Sequence, residues 1–173
     1  MPVRRQAGGF VTTFEEFLLV VTLAAALGCG LIAGVFFAFS SFVMKALARR
    51  PPGEGMAAMQ SINVVVLRSW FMAVFLGTAA ACFTTLVCSL LWWNEPGALY
   101  LLTGSLLHLV GSFLVTILFN VPRNVALAAV APADPSGASL WARYVATWTA
   151  WNHVRTVASL AAMVAFTIAA AHS

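Results

Sequence analysis

Apolar residues in this chain come in long blocks separated by short polar punctuation, and that spacing predicts helices long enough to cross a membrane. The blocks run over about 17–42, 69–93, 98–119 and 152–171. A spanning helix needs about 20 mostly apolar residues, and the last block, strongly apolar only from Thr156, reaches across by using residues from Trp148 onward. No period-two alternation is present, which sets a β-barrel aside. Breakers fall between the blocks: Arg50-Pro51-Pro52-Gly53, Asn94-Glu95-Pro96-Gly97 and Ala131-Pro132-Ala133-Asp134-Pro135-Ser136-Gly137. The predicted fold class is all-α: one domain over 1–173, an integral membrane four-helix bundle with helical extensions in the two connections at one membrane face.

The polar positions add a direction to that bundle. Four polar clusters lie at the end of span one (Ser40, Ser41, Lys45), before span two (Gln60, Ser61, Asn63), at the end of span three (Asn120, Arg123, Asn124) and at the start of span four (Trp148 to Arg155). In an up-down-up-down bundle all four meet at the same end. Unpaired polar groups are costly in lipid, so such clusters map the protein interior. His108, Ser112, Thr116 and Asn120 recur every four residues and predict a polar stripe on span three. Trp148, Asn152, Arg155 and Ser159 predict another on span four, with His153 about 100° around from Asn152. Ala26, Gly30, Gly34 and Ala38 predict a small-residue contact stripe on span one. Pro122 predicts a break in span three, with Asn120 and Asn124 placed to bond the freed backbone.

Composition supports the membrane reading. Of 173 residues 62% are apolar and 8% charged, against roughly a quarter charged in soluble domains. The net charge of +4 is therefore read as orientation signals flanking the spans, and no nucleic-acid partner is expected. Lys45, Arg49, Arg50 and Arg68 surround the first connection, and Arg123, Arg143 and Arg155 the third, while the second carries no Lys or Arg. Positive-inside logic puts the first and third connections in the cytoplasm and both termini outside, with Arg4 and Arg5 pulling the other way. Trp92, Trp93 and Tyr100 fit an aromatic belt at the opposite face. The first apolar run is too long for a signal-peptide core and is expected to be retained. The localisation expected is a multi-pass protein of a bacterial plasma membrane.

Candidate chemistry concentrates at the polar end. Trp148 and Trp151 supply flat apolar walls, Asn152 and Arg155 hydrogen-bond donors, and His153 a group able to move a proton near neutral pH. Together they suit a flat, hydroxylated aromatic molecule, with Gln60, Asn63, Asn120 and Asn124 completing the polar lining. Cys29, Cys82 and Cys88 lie inside apolar spans without ligand spacing, so buried inert thiols are expected and no metal site. No cofactor is predicted, although haem with His108 or His153 as axial ligand stays open. The bland role for His108 is a hydrogen bond to a neighbouring helix.

At these clusters the sequence resembles the anthrone oxygenase-like membrane family. The matching residues are Gly34-Val35-Phe36-Phe37-Ala38-Phe39-Ser40, Met59-Gln60-Ser61-Ile62-Asn63, Phe119-Asn120-Val121-Pro122-Arg123-Asn124 and Trp148-Thr149-Ala150-Trp151-Asn152-His153-Val154-Arg155. The resemblance implies a small multi-pass bundle and, for some members, oxidation of polyketide anthrones to anthraquinones by dioxygen. On that reading His153 is the base, Arg155 and Asn152 hold the oxyanion, and His153→Ala abolishes oxygen uptake. The expected partners are a hydrophobic aromatic small molecule and membrane lipid, with a homo-oligomer open. The alternatives are a non-catalytic membrane module binding a lipid, quinone or protein, a haem protein, or a small transporter using the His108 stripe.

Overall fold

The computed structural model describes the backbone from Val3 to His172 and side chains from Phe14 onward. The side chains of Arg4 and Arg5, which bear on orientation, lie outside that range. Among the described residues every regular element is helical: α1 (Val3–Ala38), α2 (Met44–Ala48), α3 (Pro52–Val66), α4 (Trp70–Leu91), α5 (Ala98–His108), α6 (Val121–Ala128) and α7 (Gly137–Ala170). Three π-helical stretches interrupt them: Phe39–Val43 between α1 and α2, then Leu109–Leu114 and Thr116–Asn120 between α5 and α6. Four continuous helices are long and apolar enough to cross a membrane: Phe14–Ala48, Trp70–Leu91, Ala98–Ala128 and Gly137–Ala170. The protein is an all-α four-helix bundle of the multi-pass membrane type.

Packing closes the four helices into a ring in which α1 meets α4, α4 meets α5, α5 meets α7, and α7 returns to α1. The outward faces remain apolar: Leu27, Leu31, Phe83, Leu90 and Val157 are all exposed. In water such a belt would be unfavourable over its whole length, and in lipid it is solvated by acyl chains. The central core is built from small residues, with Ala25, Ala26, Cys29, Cys82, Ala162 and Ala169 packed around Leu101 and Phe166.

Three of the four continuous helices, with 35, 31 and 34 residues, outrun the hydrocarbon layer. α7 begins at Gly137, well before the expected 152, and its 34 residues span about 51 Å against a core of roughly 30 Å. Nothing between Gly137 and Ala170 breaks a helix, so the segment around Arg143 and Tyr144 continues the span outward. There Met44, Met56, Met59, Leu127, Trp141, Tyr144 and Trp148 form a second core joining α2, α3, α6 and the start of α7. These are the expected helical extensions, gathered at one end. Gln60 ties them together by donating to the carbonyls of Leu127 (2.8 Å) and Val130 (2.9 Å) at the end of α6. At the other end the α4–α5 turn closes on Gly97 at φ +86°, where glycine carries no Cβ penalty. Trp92, Trp93 and Tyr100 lie partly exposed around that turn.

Two local expectations are corrected. The small-residue stripe on α1 does not face inward as a unit: Gly34 is exposed and Gly30 half-buried. Four residues overshoot a 3.6-residue turn by about 40°, so the stripe drifts off the contact face while Ala25, Cys29, Ile32 and Phe36 stay on it. The close approach falls at Gly28 instead, where a Cβ would lie 2.0 Å from Thr78 Oγ1. Nor do Asn120 and Asn124 cap the backbone around Pro122, because both reach α7; Arg123 Nη1 separately bonds the Phe119 carbonyl.

Candidate functional site

The polar end contains a cavity of about 550 Å³ between α1, α3, α4, α6 and α7. Its walls are mainly apolar and include Phe36, Phe39, Met59, Phe71, Phe75 and Trp148, and its polar lining is Gln60, Asn63, Thr116, Asn124 and Arg155. Small-molecule sites have this size and this balance of apolar wall to a few fixed polar groups. No Asp, Glu or His lines it.

Arg155 is its most distinctive member. Only 4% exposed, it donates from Nη2 to Asn152 Oδ1 (2.6 Å) and from Nη1 to Thr116 Oγ1 (3.2 Å). Its Cζ lies 4.1 Å from the Phe36 ring centroid and 5.1 Å from that of Trp148, both within cation–π range. Nε has no acceptor, and the residue forms no ion pair among the described residues. A buried guanidinium without a carboxylate is costly because its desolvation is only partly offset by neutral partners.

Asn152 positions that cation. Fully buried, it donates from Nδ2 to the Phe36 carbonyl (2.7 Å) and to Ser40 Oγ (2.7 Å), leaving Oδ1 to accept from Arg155. Ser40 sits in the π-helical turn after α1, and Thr156 Oγ1 lies 3.3 Å from its hydroxyl. The polar stripe on the third span is inward throughout: His108, Ser112 and Asn120 are buried and Thr116 partly so. The π-helical turns account for this, because a wider turn absorbs the drift that four-residue spacing accumulates in an α-helix.

The remaining expected site residues divide clearly. Trp148 and Asn124 line the cavity, and Asn124 Oδ1 accepts from Trp148 Nε1 and from the Tyr144 hydroxyl, each at 2.9 Å, which fixes the indole. Asn63 lines the cavity, and so does Gln60, although the Gln60 amide nitrogen is committed to α6. Asn120 is buried behind it, donating to the Trp148 carbonyl at 3.3 Å. Trp151 is outside, stacked on Phe119 with centroids 3.6 Å apart. His153 is also outside and exposed, because one residue along the helix turns it about 100° from Asn152. It touches neither the cavity nor Arg155, so the geometry does not place the expected base beside the expected oxyanion partners. Sequence reasoning missed the phenylalanine walls, whose spacing looks like any lipid-facing helix.

It also missed a cluster deeper in the bundle. Cys29 from α1, Cys82 from α4 and His108 from α5 converge with their ligating atoms within 4.8 Å of one another, all fully buried. The thiols are buried as expected, and Cys29 Sγ lies 3.4 Å from His108 Nδ1. Each residue comes from a different helix, so no local spacing announces the group.

The sequence profile of the anthrone oxygenase family matches residues 67–165, more than half of the chain. That stretch contains Asn120, Asn124, Trp148, Asn152 and Arg155, whereas the motifs around Ser40 and Gln60 precede it. Comparisons with curated proteins and with solved structures found no match. With the matched stretch carrying the bundle's inner polar face and most of the polar lining of its cavity, the chain belongs to the anthrone oxygenase family.

Proposed function

We propose that this protein is a membrane-bound oxygenase that oxidises a flat hydroxylated aromatic, of the anthrone or hydroquinone kind, with dioxygen in the cavity beside Arg155. The observation that carries the reading is a guanidinium with no carboxylate partner among the described residues, in a mainly apolar, aromatic-walled cavity. Such a site is incomplete alone and favours an anionic ligand with flat apolar faces. An anthrone deprotonated to its enolate has both properties, with its oxygen on Arg155 and its rings between Phe36, Phe71 and Trp148.

Binding at Arg155 favours the enolate over the neutral ketone, because the cation acts through a low-dielectric surrounding. With no carboxylate or imidazole lining the cavity, the proton leaves to water at its mouth. The electron-rich methylene carbon then gives up electrons to dioxygen and forms a carbon–oxygen bond; protonation gives the hydroperoxide. Loss of water from it yields the second ketone, so one anthrone and one dioxygen become one anthraquinone and one water. Asn152 keeps the guanidinium oriented, and Phe36 and Trp148 keep water from its faces.

Substrate-dependent oxygen uptake by the purified protein tests this directly. Arg155→Met should lower kcat by about 10²-fold or more, the loss typical when an oxyanion donor is removed. His153→Ala should leave uptake near the unmodified rate. Tight binding of the aromatic with no oxygen consumption would instead favour the non-catalytic binding module, and full activity in Arg155→Met would overturn the site.

A further inference from the structure

The cluster of Cys29, Cys82 and His108 has the composition and dimensions of a metal site. Cys29 is 0% exposed in the middle of the first span, Cys82 0% in the second and His108 0% in the third. Tetrahedral zinc at Zn–S of about 2.3 Å and Zn–N of about 2.0–2.1 Å puts a sulfur and a nitrogen ligand roughly 3.5 Å apart. Cys29 Sγ and His108 Nδ1 are 3.4 Å apart, and all three ligating atoms fall within 4.8 Å. Nδ1 faces the sulfur while Nε2 has no hydrogen-bond partner among the described residues. The ring is held edge-on by Phe75, at a centroid separation of 6.3 Å, so packing aims its inner nitrogen at the thiols.

The backbone is built to hold this approach. Gly28 precedes Cys29, and Thr78 lies one turn before Cys82 on the same face of α4. A Cβ at Gly28 would meet Thr78 Oγ1 at 2.0 Å, so α1 and α4 touch beside the two cysteines. Gly104, one turn before His108, packs against the Phe166 ring, where a Cβ would lie at 3.1 Å.

We infer that Cys29 Sγ, Cys82 Sγ and His108 Nδ1 bind a thiophilic d10 cation, Zn2+ or Cu+, at the centre of the bundle. Two thiolates and a neutral imidazole are soft ligands that select such ions over magnesium or calcium. With Zn2+ the two thiols release two protons and the complex is electrically neutral, as a site enclosed in lipid requires. With Cu+ the same three atoms complete a trigonal set, which is neutral when one cysteine binds as thiolate and the other keeps its proton. The ion joins α1, α4 and α5 across their contact and stands apart from the Arg155 cavity, with the Phe75 ring between them. The inference is independent of the oxygenase reading.

Elemental analysis of the full-length protein, purified in mild detergent on a non-chelating column, decides it. Expected is about one zinc or copper ion per chain, retained in Cys88→Ser and lost in Cys29→Ser, Cys82→Ser and His108→Gln. Zinc and copper signals separate the two ions. Should the ligand variants fail to accumulate, the unmodified protein incubated with Co2+ should develop thiolate-to-cobalt charge-transfer absorption that Cys88→Ser preserves. A protein that takes up neither zinc, copper nor cobalt overturns the proposal, as does a Cys29–Cys82 disulfide found by peptide mapping.

Discussion

Removing the Asn152 amide tests whether the polar end is organised around Arg155. In Asn152→Ala the bonds to the Phe36 carbonyl and Ser40 Oγ disappear, and Arg155 Nη2 loses its acceptor at 2.6 Å. Interhelical hydrogen bonds in membranes average about 0.6 kcal/mol, so the first two are worth about 1.2 kcal/mol together. The third involves a buried charge, for which about 1.5–3 kcal/mol is typical. The expected destabilisation is about 3–4 kcal/mol, read from unfolding in mixed micelles as the denaturing detergent fraction rises. In an Arg155→Met background the third loss vanishes, so Asn152→Ala should cost only about 1.2 kcal/mol there, a coupling of about 2 kcal/mol in the double-mutant cycle. Equal cost in both backgrounds would refute the positioning role. So would a total no larger than that of Thr103→Ala, whose exposed hydroxyl bonds only its own helix.

Two further outcomes follow from other parts of the molecule. Gly28→Ala forces a methyl against Thr78 and should cost about 1–3 kcal/mol in the same unfolding assay, while Gly34→Ala, with nothing within 4 Å of its added methyl, should lie within about 0.5 kcal/mol of the parent. In the loop before α7, the Ser136 hydroxyl and then its backbone N–H hold the Asp134 carboxyl below its ordinary range. A depressed folded value means this turn is supported above the unfolded carboxylate pKa and loses that support as pH falls through the folded one. Protection of the Ser136 amide, taken as its exchange rate relative to the intrinsic rate at each pH, should therefore fall under acid, and Asp134→Asn should remove that pH dependence of protection.

The parts of this fold legible in the sequence were those that depend on run length and spacing within one helix. Apolar runs survive any detail of packing, so the four spans could be read directly. The 148, 152, 155, 159 spacing placed Trp148, Asn152, Arg155 and Ser159 on one face, and all four are buried. The start of α7 was hidden because Arg143, Tyr144 and Thr147 look polar, yet Tyr144 and Trp141 are buried against the extensions rather than against lipid. His153, one residue from Asn152, is turned about 100° off the buried face and is exposed, which residue type alone does not reveal. Cys29, Cys82 and His108 lie on three helices, and only packing, through contacts such as Gly28 on Thr78, brings them together.

The π-helical turns explain how such short polar side chains reach one point. A regular helix advancing from His108 to Asn120 makes twelve steps of about 100°, a third of a turn beyond three full turns. Asn120 would then face away from the side that buries His108. Instead the two wide stretches, Leu109–Leu114 and Thr116–Asn120, return the stripe to the interior, delivering Thr116 to Arg155 and Asn120 to the α7 backbone. On α1 the turn at Phe39–Val43 turns Ser40 toward Asn152. Each such turn gives up ordinary i→i−4 geometry, which is why isolated π turns persist mainly where a site gains from them. Here all three lie on the helices facing α7, and two of them feed the network holding a single buried cation. The irregularity of the backbone and the buried charge of Arg155 thus belong to one arrangement, which on the proposed function is completed by a ligand of opposite charge.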